Sequence, residues 1–364
     1  MQYVKLGEYT KIKTGKLDAN ASSIDGIYPF FTCSKQILKI NSYSYDCECV
    51  LVAGNGEINV KYYNGKFDAY QRTYIIESND KSKLLVKYIY YFMLSYIDVL
   101  KSKSIGGVIK YIKLNNLTDA KIPLLSIDEQ IKIIYYFEKY YNYLNLNNLL
   151  LNNFDNIVKS QFIEMFGDLT QKNAGYITLE NFADITSSKR VHAADYVESG
   201  IPFYRSKEII ELGENKEPSI ELFISEKHYN DIKTKNYIPQ KGDILMSAVG
   251  TIGKMWIVDG KKEFYYKDGN IICIHSLETN PIFLKHSLEM LIESFKDSNV
   301  NGSAYSALTI VKLKKMLVPL PDKKLQNEFA NFVEQIDKSK FIVQKQINLL
   351  EELLEKKMNE YFGQ

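Results

Sequence analysis

Two stretches of the chain share one long-period pattern. Positions stepping by four and three run through Ile133, Phe137, Tyr140, Leu144, Asn147, Leu151, Phe154, Val158, Gln161 and Met165. The same steps run through Phe329, Val333, Ile336, Lys340, Val343, Ile347, Leu350, Leu354, Lys357 and Tyr361. Each is a heptad seam of about four repeats with only two polar interruptions, the signature of a coiled-coil helix. Neither stretch contains Pro or Gly between its ends, and Gly167 and Gly363 follow the last turns, where a left-handed cap requires glycine. Elsewhere the apolar runs are short, β-branched and aromatic, broken by Gly, Asn and Asp, which predicts strands and turns. Two further helix-like stretches cover Lys83–Lys101 and Pro281–Lys296.

The two seams belong to a larger internal repeat. KIPLLSIDEQ, ending at Gln130, corresponds to LVPLPDKKLQ, ending at Gln326, at an offset of 196. That offset also pairs Pro123 with Pro319, Glu138 with Glu334, Asn152 with Asn348, Phe166 with Phe362, and Gly106 with Gly302. Upstream the halves match loosely: YVKL at Tyr3 with YITL at Tyr176, IYPFFTCS with IPFYRSKEI, and CVLVAGNGEIN with DILMSAVGTIGK. The order is therefore α+β head, long helix, α+β head, long helix. A helix of roughly 40 residues is about 60 Å long. For its seam to pack fully on the first, the second helix must run back antiparallel. The expected fold is α+β: two heads separated by an antiparallel two-helix coiled-coil rod, with a pseudo-twofold internal repeat. The boundaries expected are 1–125 and 169–321 for the heads, and 126–168 and 322–364 for the helices.

Composition narrows the function classes. Apolar content is 45% and charged content 25%, ordinary for a globular protein. The opening residues show no signal-peptide pattern, and the most apolar stretch, Tyr88–Ile97, is too short to span a bilayer. A cytoplasmic protein without a membrane association is expected, with its four cysteines reduced. Net charge is only +2, so basic character is local. Lys101, Lys103, Lys110 and Lys113 form one cluster, and Lys189, Arg190, Arg205 and Lys207 another, each able to contact phosphates.

With the repeat in view, the chain resembles the specificity (S) subunits of type I restriction–modification systems. The resemblance runs from Tyr3 to Gly363. It rests on Ile122-Pro123-Leu124 and Val318-Pro319-Leu320, on Gln130 and Gln326, and on helices ending in Phe166-Gly167 and Phe362-Gly363. Glu129-Gln130 fits the family's E-Q pair, whereas Leu325-Gln326 departs from it. The resemblance implies two target-recognition domains, each reading one half of a bipartite double-stranded DNA target. It implies a rod that sets the gap and docks two methyltransferase (M) subunits carrying S-adenosylmethionine. Two restriction (R) subunits using ATP and Mg would complete the complex. It implies no catalysis by this chain and no cofactor bound to it. A non-catalytic coiled-coil adaptor with two protein-binding heads is the alternative.

Catalytic motifs give no competing reading. Asn280-Pro281-Ile282-Phe283 lacks the second proline of an adenine-binding N-P-P-F loop, and Pro281 suits the first turn of a helix. Gly250-Thr251-Ile252-Gly253-Lys254 lacks the spacing of a phosphate loop and reads as a strand-end turn. The four histidines show no metal-ligand spacing, so no metal site is expected.

Only three of the 46 basic residues are arginine, and all lie in the heads: Arg72, Arg190 and Arg205. Arginine can read guanine bidentately, and Gln71 could read adenine in the same way. Each arginine could instead serve a surface or structural ion pair. The expected DNA-binding set adds Lys35, Tyr70, Lys189, Ser206 and Lys207. Lys103, Lys110 and Ser303, in Gly- and Ser-bearing loops, are assigned to phosphates. On the helices, Tyr136, Leu146, Ile157, Phe332, Ile342 and Leu353 fall outside the seams. They recur at the same offset and form a second stripe expected to bind partner subunits.

Overall fold

The computed structural model describes residues 2–169, 176–298 and 308–363. The chain divides into two compact units, Met1–Leu150 with Ile342–Gln364, and Leu151–Phe341. The division differs from the expected separation of heads and spacers: each unit holds one head together with part of each long helix. The reason is that aromatic side chains of the helices complete the cores of the heads.

The first head is built on a six-stranded sheet. Its strands lie in the order Thr10–Thr14, Thr73–Ser78, Tyr45–Ala53, Val60–Ala69, Tyr28–Phe31 and Leu38–Ile40. All neighbours are antiparallel except Tyr28–Phe31, which runs parallel to the end of Val60–Ala69 through Phe30–Asp68 and Phe31–Ala69. Alternation along the strand Tyr45–Ala53 explains the layering. Val50 and Val52 face a core shared with the helix Val86–Ser95, while Cys49 and Leu51 face Phe31, Phe67 and Ile75 on the other side. The expected single helix over Lys83–Lys101 is two, Val86–Ser95 and Ile97–Lys103. They meet at buried Tyr96, whose ψ of −2° turns the chain.

The second head repeats this topology with an interruption. One sheet orders Asp184–Thr186, Ile271–His275, Ile244–Ser247 and Met255–Ile257, and another orders Tyr196–Val197, Phe223–Ile224, Ile201–Tyr204 and Tyr265–Tyr266. Phe203 and Tyr204 pair in parallel with Tyr265 and Tyr266, as Phe30 and Phe31 do with Asp68 and Ala69. The single strand Val60–Ala69 of the first head thus corresponds to two short strands here. Helices Ser206–Gly213 and Glu226–Lys233 are additions.

The repeated proline motif closes each head. Lys121–Pro123 pairs antiparallel with Tyr3–Lys5, joining Pro123 to Tyr3. Leu317–Pro319 pairs likewise with Tyr176–Thr178, joining Pro319 to Tyr176. A two-stranded ribbon leaves both strands at an edge, where proline's missing N–H is tolerated.

The long helices span Ile127–Phe166 and Lys323–Phe362. Every seam position named above is buried or half-buried. In the first unit, Phe362 is fully buried and packs on Tyr88, Phe92 and Phe137 at ring separations of 5.4, 5.8 and 6.0 Å. In the second unit, Phe166 packs on Phe283 at 4.7 Å and Phe329 at 5.6 Å. There Phe162 meets Phe329 while Asp155 pairs with Lys340, so the two helices run antiparallel within that unit. Gly167 and Gly363 hold φ of +82° and +54°, and their N–H groups bond to Ile163 and Asn359 carbonyls, capping the helices in the left-handed conformation.

Candidate nucleic-acid interface

At one end of the first head's sheet, four segments distant in sequence come together. The turn Tyr70–Arg72 links the strands Val60–Ala69 and Thr73–Ser78. The Arg72 carbonyl accepts from Gly54 N–H at 2.8 Å, and the Gly54 carbonyl accepts from Ile112 N–H at 2.9 Å. The Lys110 carbonyl accepts from Gly56 N–H at 2.8 Å. Asn59 donates its side-chain amide to the Cys33 carbonyl at 2.8 Å, and Lys61 Nζ donates to the Ser34 carbonyl at 2.7 Å. These bonds bring together the backbone segments that carry Lys35, Gln71, Arg72 and Lys110, and a depression there is lined by Thr14, Gly54, Gln71, Arg72, Tyr74 and Ile112. Gly54 is required here, since a Cβ would lie 2.3 Å from the Arg72 carbonyl oxygen.

The side chains differ in how committed they are. Lys35 pairs with Glu57 at 2.6 Å on the surface, and Lys35 holds the Glu57 carboxyl below its usual range. Gln71 donates to Asp18 at 2.8 Å. Tyr70 is half-buried, with its N–H on the Phe31 carbonyl. Lys103 donates to the Tyr96 hydroxyl at 3.0 Å and lies over its ring. Arg72 and Lys110 are exposed. Lys61, in the same cluster, was not singled out by sequence; burial pushes its ammonium pKa down. Its signal was a strand position two residues from Asn59, whose partner Cys33 only the fold identifies.

In the second head the basic run is tied to a loop after Tyr266. Arg190 is exposed, and its Nε donates to Asp268 at 2.9 Å. Lys189 N–H donates to the Tyr265 hydroxyl at 2.7 Å. Arg205 sits differently. Its guanidinium bonds to buried Glu208 at 2.6 Å and to Glu221 at 3.0 Å, and these carboxylates hold it firmly protonated. Arg205 N–H, at the N-cap position of the helix Ser206–Gly213, also donates to Glu208. Lys207 shares Glu221 at 3.0 Å, and the Ser206 hydroxyl is buried. Arg205 and Lys207 therefore have structural occupations that a DNA contact would have to share, whereas the buried Ser206 hydroxyl has no hydrogen-bond partner among the described residues. Ser303 lies outside the described residues.

The motifs set aside behave as turns and caps. Pro281 opens the helix Pro281–Ser298, and the Asn280 side chain accepts from Ile282 N–H at 2.9 Å. Gly250 and Gly253 hold positive φ in the turn between the strands Ile244–Ser247 and Met255–Ile257. Among the described residues no His, Cys, Asp and Glu group could hold a metal ion, and no helix is long and apolar enough to cross a membrane.

Of the second helical stripe, Tyr136, Leu146, Ile157, Ile342 and Leu353 are exposed. Phe332 departs from the expectation: it is half-buried against the cluster containing Phe162 and Phe329. Exposed Tyr143, Leu149, Leu150, Phe341 and Leu349 enlarge the apolar surface.

Comparison with known proteins places this arrangement in a family. A model described as the type I restriction modification DNA specificity domain matches residues 1–153 and 171–352. The type I restriction enzyme EcoDI specificity subunit of Escherichia coli is 45% identical over 129 residues, 35% of this chain; the match spans only 28% of that subunit. A putative type I restriction enzyme specificity subunit of Haemophilus influenzae is 26% identical over 327 residues, covering 86% of this chain and 81% of the relative. The crystal structure of the S subunit from M. genitalium has the same fold, with a TM-score of 0.61 at 17% identity over 100% of this chain and 96% of that one. A chain from a structure describing assembly and conformational transition of a type I R-M system gives 0.59 at 14% identity, with 100% and 97% covered. With the specificity domain matched in both halves, the chain belongs to the family of type I restriction–modification specificity subunits.

Proposed function

We propose that each head reads one half of a bipartite duplex DNA target, and that the long helices dock two methyltransferase subunits. The observation that carries the reading is the gathering of Lys35, Gln71, Arg72 and Lys110 at one end of the first head's sheet. Arg72 is the guanine reader there, Lys110 and Lys103 contact phosphates, and Gln71 exchanges Asp18 for a base edge. In the second head Arg190 and Lys189 do the corresponding work, with Arg205, Ser206 and Lys207 contributing from the start of the helix Ser206–Gly213. Ser303 is a further phosphate contact in this reading. The stripe containing Tyr136, Leu146, Ile157, Ile342 and Leu353, with Phe332 at its margin, receives the methyltransferase subunits. S-adenosylmethionine belongs to those subunits, and ATP with Mg to restriction subunits where these join. The chain itself supplies recognition.

The test has two parts. The chain assembled with its methyltransferase subunits should bind target duplex with an affinity falling steeply with salt, as counterion release requires. Methylome sequencing should return two half-sites with a fixed gap. Each long helix contributes turns to both units, so inserting one heptad into both helices should lengthen that gap. An unchanged gap after the matched insertion defeats the spacer reading.

A further inference from the structure

The loop Ser104–Tyr111 of the first head holds two apolar side chains in open solvent. Val108 is 103% exposed and Ile109 62%. The loop is not loosely attached. Ile105 and Tyr111 exchange both backbone hydrogen bonds, at 2.9 and 2.8 Å, closing it like a short two-stranded ribbon. Tyr111 also bridges to Asn55, and the Lys110 carbonyl accepts from Gly56. Gly106 makes the closure possible at φ +118°, where a Cβ would lie 2.6 Å from the Ile109 carbonyl oxygen. The base is thus bonded to the turn Gly54–Gly56, whose Gly54 N–H in turn donates to the Arg72 carbonyl, while the tip touches little. No acidic residue occurs from Val99 to Thr118, which contains Lys101, Lys103, Lys110 and Lys113.

An apolar tip on a cationic base fits a surface that is anionic outside and apolar within. Duplex DNA has that character, with phosphates flanking the groove. The major groove, about 12 Å wide, admits a two-stranded ribbon. The apolar feature exposed in the major groove is the thymine C5-methyl group. Val108 and Ile109 are β-branched and stiff, so little side-chain freedom is lost on contact.

We propose that Val108 and Ile109 read thymine through its methyl group in the major groove. The inference rests on the DNA-reading function proposed above. The test uses the chain assembled with its methyltransferase subunits and duplexes in which each thymine of the target is replaced in turn by deoxyuridine, removing only the methyl. At one or two positions the replacement should weaken binding about fourfold, the worth of one buried methyl group. V108S/I109S should bind the thymine duplex more weakly and lose its sensitivity to deoxyuridine at those positions. Deoxyuridine tolerated at every position overturns the proposal, as does unchanged sensitivity in the variant. Loss of methyltransferase assembly by V108S/I109S also overturns it and makes the tip a protein contact. A complex that cannot distinguish target from scrambled duplex fails the underlying reading instead. One that distinguishes them but ignores every methyl fails this inference alone.

Discussion

The Gln130 side-chain oxygen accepts the Leu85 N–H at 2.9 Å, at the residue that caps the helix Val86–Ser95. Its amide nitrogen donates to the Lys83 and Leu125 carbonyls at 2.8 and 2.9 Å. Gln326 does the same in the second head, accepting from Asn280 N–H at 2.7 Å and donating to Pro321 at 2.8 Å. Both glutamines are essentially fully buried. The repeated glutamine is therefore a clasp between a long helix and the start of the head's own helix.

Gln130→Leu leaves one half-buried N–H and two carbonyls without their side-chain partner. An unsatisfied buried group costs about 1–3 kcal/mol, so a loss within that range is expected for these half-buried groups. Chemical denaturation reads the total. Hydrogen exchange reads its location, with faster exchange around Leu85 in Gln130→Leu and around Asn280 in Gln326→Leu. Equal loss of protection throughout both heads in either variant contradicts the clasp.

Phe362 lies at the far end of the chain yet fills the core of the first head, beside Tyr88, Phe92 and Phe137. Phe362→Ala should cost about 3–5 kcal/mol, the range for emptying a buried aromatic site. Val86–Ser95 should then become the segment most accessible to limited proteolysis. Intact protection there, with normal thermal stability, counts against the placement.

The long helices were legible because a heptad seam is a local pattern and needs no knowledge of what packs on it. The parallel pairing of Phe30 with Asp68 was not, because it joins short strands far apart in sequence. The same limit applies to the candidate interface. Lys35, Arg72 and Lys110 were each visible as basic residues, but only the turn around Gly54 and the bonds from Asn59 and Lys61 bring their segments together. Arg205 carried a contrary signal that residue type alone obscured: Glu208, three residues on, accepts from both its backbone N–H and its guanidinium. The departure at Leu325 has a local cause as well. Glu129 completes a reciprocal cap with Ser126, whereas the Leu325 N–H is capped by Asp322 at 2.8 Å.

The three arginines should separate by experiment. Arg72→Ala removes an exposed side chain, so stability should hold while discrimination in one half-site falls by about 1–3 kcal/mol. Arg190→Ala should act on the other half-site. Arg205→Ala should instead cost about 2–3 kcal/mol of stability, because it leaves the buried Glu208 carboxylate without its partner. Combining it with Glu208→Gln should recover part of that loss. Binding to half-site variants and melting temperatures of each protein distinguish the outcomes.

The first long helix carries an acid-sensitive cap. The Ser126 hydroxyl, then its N–H, bond to the Glu129 carboxylate and hold its pKa below the ordinary value. A carboxyl depressed in the folded state adds stability above its unfolded pKa, about 4.3, and loses it as pH falls through the folded value. Carboxyl NMR should show Glu129 titrating below free glutamate, and Ser126→Ala should raise its midpoint. Identical midpoints in the two proteins remove the cap from the account.

In the proposed reading, partner docking turns on Leu146 and Ile342, equivalent positions in the repeat. They are 51% and 58% exposed, and each has apolar neighbours in the open: Leu149 and Leu150 beside one, Phe341 beside the other. A monomeric surface rarely leaves such patches uncovered. The seams are satisfied without these residues, since every seam position is already buried or half-buried. Changing both to Asp should therefore leave the melting temperature within a few degrees of the parent. It should weaken methyltransferase assembly severely, because a buried unpaired carboxylate at an interface is strongly unfavourable. The equivalence of the two positions adds a sharper expectation. Leu146→Asp alone and Ile342→Asp alone should each cost one methyltransferase subunit, giving a one-to-one complex by sedimentation. A double variant that still assembles two methyltransferase subunits at low micromolar concentration shows that this stripe is not the docking surface.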